Sequence, residues 1–270
     1  MKPAWSEQFE DDRLQEVLPI ALPARLTRDW AWGDSTGEGV RVAIIDSGID
    51  PSHPDVGAIQ GGAVLEYDDD TGDVRVVEGP HEDLFGHGTA CAAIIRKVAP
   101  RASLYSIRVL GERLSGKGIV FAAALRWAIE QRMQVVNLSL STKKREYFDV
   151  FHELADDAYF HHMMLVAAVN NVPAPSYPSQ YASVFSVASH GEKDPYRFYY
   201  NPSPPVEFGG PGIDLQVAWL NGATIEATGN SFAAPHIAGL VAKILGKHPG
   251  MTPFQMKTVL HATASNAAPE

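Results

Sequence analysis

The most constraining feature of this chain is the run Val40-Arg41-Val42-Ala43-Ile44-Ile45, which stops at Asp46-Ser47-Gly48. Only Arg41 interrupts its apolar character. A strand with one wet face would alternate, so this one needs cover on both faces. A parallel sheet sandwiched between helices provides that cover. Residues 135–140, 164–169 and 184–189 read as further buried strands, and the alternating 102–110 as another. Between them, residues 89–97, 118–132 and 145–160 read as helices. The middle one offers Ile119, Ala122, Ala123, Leu125, Trp127 and Ile129 to a buried face. The expected fold class is therefore α/β, three-layered, with a mostly parallel central sheet and helices on both faces.

The remaining segments complete that plan. Residues 1 to about 38 read as an irregular, proline-punctuated leader. The acidic, Gly-containing stretch 66–83 reads as a surface excursion. Residues 206–229 suggest short antiparallel or edge strands. Residues 231–245 read as a helix, and Thr252-Pro253 caps and starts a last one. At 270 residues, one large domain fits better than two small ones.

Composition removes several function classes. The formal net charge is −10 and the pI about 5.4, the opposite of a nucleic-acid footprint. No apolar run reaches membrane-spanning length, and no apolar stretch near Met1 suggests a signal peptide. A single cysteine, Cys91, cannot form an intrachain disulfide. Together these suggest a cytoplasmic protein without nucleic-acid or membrane partners. They leave its oligomeric state open.

In such sheets, chemistry sits beyond the carboxyl ends of the strands. Asp46 is the first polar residue after a buried strand. His87 lies in Gly86-His87-Gly88-Thr89, ahead of the small residues Ala90, Ala92 and Ala93, which let a helix press on the sheet. Ser231 lies in Gly229-Asn230-Ser231-Phe232-Ala233-Ala234-Pro235-His236, with Pro235 expected in the first helical turn. Helix N-terminal amides favour a developing oxyanion. A serine hydroxyl needs a base to take its proton, and an imidazole base needs a carboxylate to fix its tautomer. Asn171, after the strand Leu165-Val166-Ala167-Ala168-Val169, can add an amide donor for the oxyanion, with Asn170 beside it as the alternative.

These segments together resemble the subtilisin-like serine peptidases, from about residue 18 to residue 264. Val42-Ala43-Ile44-Ile45-Asp46-Ser47-Gly48, with His53-Pro54-Asp55 after it, resembles the family's aspartate motif. His87-Gly88-Thr89 resembles its histidine motif, and Ser231-Phe232-Ala233-Ala234-Pro235-His236 its serine motif. The order Asp, His, Ser matches that family and not the α/β-hydrolases. The resemblance implies a serine endopeptidase acting on a peptide or protein substrate through an acyl-enzyme. Residues 1–17 would then be an N-terminal extension, able to block the cleft, and 18–270 the peptidase domain. Ser139-Leu140-Ser141 and Leu114-Ser115-Gly116-Lys117-Gly118 resemble the two edges between which substrate adds as a strand. That makes Ser139, Leu140, Ser141, Ser115, Gly116 and Asn230 the expected substrate-binding residues. Neither edge carries an acid, so an apolar or permissive residue is expected just before the scissile bond.

The departures from the family pattern carry their own expectations. Residues 94–100 run straight to the next strand without the usual calcium-loop insertion. The strong calcium site of secreted relatives is therefore expected to be absent, and no cofactor or metal is required. Asp68, Asp69, Asp70 and Asp73 read as a solvated acidic loop. Asn230 and Phe232 replace the usual Thr and Met, and Asn170 the usual Gly. The short segment 172–176 suggests a cut-back rim to the specificity pocket. An intracellular protease maturing one peptide is the leading expectation. A peptide ligase or macrocyclase using the same acyl-enzyme, and a silent peptide-binding module, are the alternatives.

Overall fold

The computed structural model describes Asp12, Arg13, Pro23, residues 25–203 and residues 205–267. The expected extension 1–17 and domain start at 18 therefore lie almost wholly outside the described residues. The strands are β1 Arg41–Asp46, β2 Gly61–Tyr67, β3 Val74–Glu78, β4 Ser103–Arg108, β5 Val135–Leu138, β6 Met164–Ala168, β7 Phe185–His190, β8 Tyr199–Tyr200, β9 Phe208–Pro211, β10 Leu215–Ala218 and β11 Thr224–Ala227. The helices are α1 Arg28–Ala31, α2 His87–Val98, α3 Gly118–Glu130, α4 Phe148–Phe160, α5 Asn230–Lys247 and α6 Pro253–Thr263.

One sheet of nine strands runs in the order β3-β2-β4-β1-β5-β6-β7-β9-β8. The seven from β2 to β9 in that order pair in parallel. β3 and β8 close the edges in antiparallel pairs. β1 shows why the opening run needed two covers. Val42 and Ile44 face the core formed with α2, α5 and α6, while Ala43 and Ile45 face the core under α3 and α4. At about 25 cal/mol per Å² of apolar surface, such double burial makes β1 a stable backbone for the residue at its end.

Two segments differ from the sequence reading. Residues 66–83 are not merely a surface excursion. Val74–Glu78 pairs with Gly61–Tyr67 as the hairpin that ends the sheet, and the β-branched Val74, Val76 and Val77 are the signal for it. The acidic turn between them is held by its own groups, since Asp68 Oδ1 accepts from the amides of Asp70 and Thr71. Within 206–229, β9 is neither antiparallel to its inner neighbour nor at the edge. It extends the parallel sheet beside β7, and only β10 and β11 form a separate antiparallel ribbon.

Helix ends follow local chemistry. Thr252 accepts from the Gln255 amide and Gln255 returns a bond to Thr252, a capping box with Pro253 at the first helical position. The helix expected over 145–160 splits into a 3-10 turn, Arg145–Tyr147, and α4. No helix among the described residues is long and apolar enough to cross a membrane.

Candidate active site

Asp46 ends β1 and is wholly buried. β1 lies between β4 and β5, where the chain order reverses across the sheet and a crevice opens. The backbone leaves β1 through Gly48 at φ 114°, so close to the next loop that a Cβ there would stand 2.6 Å from Asp83 Cα. Gly88 allows α2 the same closeness, since its Cβ would stand 1.9 Å from the Gly48 carbonyl oxygen. This approach sets His87 Nδ1 at 2.9 Å from both carboxylate oxygens of Asp46. The Ser47 amide donates to Asp46 Oδ1 at 2.8 Å. With Asp46 accepting at Nδ1, neutral His87 keeps its proton there and Nε2 is left as the base.

The electrostatics of His87 have two opposed causes. Burial disfavours the imidazolium, but the Asp46 charge and hydrogen bond outweigh it and raise the ring well above its ordinary 6.5. Cys91 lies one turn along α2 and is fully buried, with Sγ 3.3 Å from Ser139 Oγ. Burial pushes its thiol up, so it packs as a neutral group. Asp46, His87 and Cys91 place ligand-type atoms within 4.8 Å of one another. The Asp46 and His87 atoms, however, already face each other.

Ser231 is the second residue of α5, and its Oγ has no hydrogen-bond partner among the described residues. Ser231 Oγ and Asn171 Nδ2 lie 3.2 and 3.7 Å from the place a Cβ on Gly229 would take. A side chain at Gly229 would fill the space between them. Asn171 Oδ1 accepts from the Asn230 amide at 2.9 Å, which turns its NH₂ outward. Asn170 instead folds its Oδ1 back onto the Val172 amide. Of the two asparagines, Asn171 is thus the one aimed at the serine.

Asn230 requires a correction. It was expected among the substrate-binding residues, but its side chain is consumed in tying loops together. Oδ1 accepts from the amide and hydroxyl of Ser189, and Nδ2 donates to the carbonyls of Val169 and Asn170. Such a four-bond clip fixes the start of α5 against β6 and β7 and leaves nothing for substrate. Pro235 also sits deeper than expected, at the sixth residue of α5, not in its first turn.

A cleft of about 970 Å³ joins these groups. Its walls include His87, Asn171, Ser231 and the expected Ser115, Gly116, Ser139, Leu140 and Ser141. β5 stops at Leu138, so residues 139–141 leave the sheet along the cleft before Thr142 pairs with Tyr177. Leu110, Leu114, Ile119, Leu140 and Val150 give the cleft apolar surface beside the cations Lys117 and Lys144, and no carboxylate is among its described lining residues.

The buried Asp83 was passed over in the sequence as part of a wet loop. It carries five hydrogen bonds beneath the site. A hint lay in its place three residues before Gly86, a helix cap without a side chain of its own.

The family model described as the subtilase family matches residues 37–270. The chain belongs to the subtilase family. This subtilase is 31% identical to subtilisin E of Bacillus subtilis (strain 168) over 245 residues, 85% of the chain and 61% of that protein. It is equally identical to a subtilisin of Bacillus pumilus, covering 85% of each. To the minor extracellular protease Epr of Bacillus subtilis (strain 168) it is 29% identical, covering 93% of the chain and 38% of that protein. The chain thus spans less than two thirds of several relatives it matches. A solved structure described as a cold adapted subtilisin-like serine proteinase shares the fold, with a TM-score of 0.68, 24% identity and 87% of each chain covered.

Proposed function

We propose that this subtilase is a serine endopeptidase with Asp46, His87 and Ser231 as its triad. The observation that carries the reading is the buried Asp46–His87 pair at 2.9 Å, lining up behind a cleft that also holds Ser231. His87 Nε2 takes the Ser231 proton as Oγ attacks the scissile carbonyl. The Asp46 carboxylate holds the imidazolium that forms. Asn171 Nδ2 and the amides at the start of α5 meet the negative charge on the tetrahedral oxygen. His87 then gives its proton to the leaving amine, and water releases the acyl group by the same steps in reverse.

Membership of a peptidase family and identities near 31% with named subtilisins support this reading. The substrate is a peptide or protein segment laid as a strand between residues 114–118 and 139–141. The apolar, acid-free walls favour an apolar residue before the scissile bond. We assign the enzyme to the cytoplasm and to the maturation of a particular peptide. Support for the first is the single, buried thiol; for the second, the short segment after Asn171.

Incubation with a diverse peptide library, read by mass spectrometry, tests the activity. Linear fragments that have gained one water, absent with Ser231→Ala, are expected. Water-free cyclic products would make it a ligase instead. No product at all from folded protein would leave a binding module.

A further inference from the structure

Asp46 and His87 sit on different elements, so something must fix β1 against the start of α2. Their own hydrogen bond cannot do so alone, because a side chain on a free helix end rotates away. The candidates are the groups that cross between the two elements. Asp83 crosses most often. It is 7% exposed and lies on the loop just before α2.

Each carboxylate oxygen of Asp83 is used. Oδ1 accepts from Ser47 Oγ at 2.7 Å, from the Phe85 amide at 3.0 Å and from the Gly86 amide at 2.8 Å. Oδ2 accepts from the Thr89 amide at 2.9 Å and from Thr89 Oγ1 at 2.6 Å. Ser47 follows Asp46 directly. Its hydroxyl accepts from the Gly88 amide at 3.1 Å, and its carbonyl from the Leu84 amide at 3.0 Å. Thr89 Oγ1 accepts in turn from the Asp50 amide at 2.9 Å. So the amides of Gly86, Gly88 and Thr89 at the opening of α2 are satisfied by Ser47 and Asp83 in place of a capping side chain. All five partners of Asp83 are donors, which is what a buried carboxylate requires.

We propose that Asp83 is a positioning residue for the reaction: its carboxylate locks the Asp46 end of β1 to the His87 end of α2. This rests on the peptidase reading above. Misplacing a catalytic group by about 1 Å can cost about 100-fold in rate. Asp83→Asn keeps the size of the side chain. It turns an NH₂ toward either the Thr89 pair or the Ser47, Phe85 and Gly86 group, so donors meet donors.

The test compares wild type, Asp83→Asn and Thr252→Ala, the last destabilised at a helix cap away from the site. Succinyl-Ala-Ala-Pro-Phe-p-nitroanilide serves as substrate, with kcat expressed per active site titrated by a fluorophosphonate. The His87 Nδ1–H proton resonance is recorded in parallel. The expected result for Asp83→Asn is a kcat loss of tenfold or more, KM within about twofold, and a displaced or exchange-broadened Nδ1–H signal. Thr252→Ala should keep wild-type values of all three. Wild-type kcat and Nδ1–H signal in Asp83→Asn, even with a lower Tm, would overturn the proposal. So would a change confined to KM. If Asp83→Asn does not fold, Thr89→Val, which removes one of the same bonds, is read by the same criteria. An inactive wild type would count against the peptidase reading, while the proton resonance would still report on Asp83.

Discussion

Ser139 Oγ donates a 2.7 Å hydrogen bond to the main-chain carbonyl of Ser231. In an α-helix that carbonyl would accept from the amide four residues on. The residue there is Pro235, which has no N–H to give. The serine on the cleft wall thus completes the helix that carries Ser231. Asn137 Nδ2 donates to Ser139 Oγ at 3.0 Å, which orients the hydroxyl.

That pairing predicts a compensating pair of substitutions. Ser139→Ala leaves the Ser231 carbonyl without its strong partner, at a cost of about 1–3 kcal/mol. Adding Pro235→Ala restores an N–H at the right place and should recover most of the loss. Urea unfolding of the four proteins in the cycle measures it. Additive losses would mean that the two residues do not share the carbonyl.

A second prediction concerns pH and His87. The ring is a base only when neutral, and its pKa is raised above 6.5. The acid limb of kcat/KM should therefore lie above pH 6.5. Asp46→Asn removes the group that outweighs burial, so the limb should move below 6.5 while the rate falls on the order of 10⁴-fold. The stability that the protonated ring gains from Asp46 has the opposite trend. It is complete below pH 6.5 and is lost as pH rises through the raised value. A limb that stays in place in Asp46→Asn would show that Asp46 does not set the titration.

His236 predicts the acid side of stability. Burial pushes it down to about 4, with Lys97 and His190 adding to the effect and the Phe232 carbonyl opposing it. The folded state holds the ring neutral, while the unfolded chain takes a proton near 6.5. Stability should thus fall as pH drops below 6.5, by about 2–3 kcal/mol from this residue by pH 4.5. His87, whose folded pKa is raised, opposes this decline only near pH 6.5, where its unfolded ring is still gaining a proton. His236→Gln should flatten the decline, measured as urea-unfolding free energy at pH 7 and 4.5. An equally steep decline in the variant would contradict the assignment.

How much of this was legible in the sequence depended on whether a signal was local. Asp46, His87 and Ser231 stand at strand and helix ends that periodicity locates, so their convergence follows from the sheet. Asn171 was separable from Asn170 only once Asn230 offered its amide to Asn171 Oδ1. Asn230 was misassigned because its four partners come from segments 41 to 61 residues away. Asp83 escaped for the same reason. Its acidic neighbours look wet, and its link to Ser47, 36 residues earlier, exists only in the fold. The β2–β3 hairpin was hidden because the acids at its tip masked the valines of its second arm.

The cleft also has a charge of its own. In a chain of net charge −10, its described lining residues include Lys117 and Lys144 and no carboxylate. Lys117 is held by Asp69 at 2.6 Å. Lys144 is 71% exposed and only loosely paired with Glu146 at 3.6 Å, an arrangement a substrate can displace at little cost. Peptides with Glu three to five residues before the scissile bond should be cleaved several-fold faster than their Lys counterparts at low salt. Lys144→Glu should invert that order, and high salt should erase it. Equal rates for both peptides would remove Lys144 from any role in selection.

The most direct test of the triad itself is covalent. Folded wild-type protein is treated with a fluorophosphonate, digested and mapped by mass spectrometry. One adduct per chain on Ser231 is expected, with none in His87→Ala and none in unfolded protein. Folded wild type with an open cleft that takes no label, or takes it on another residue, would contradict the assignment of Ser231 as the nucleophile.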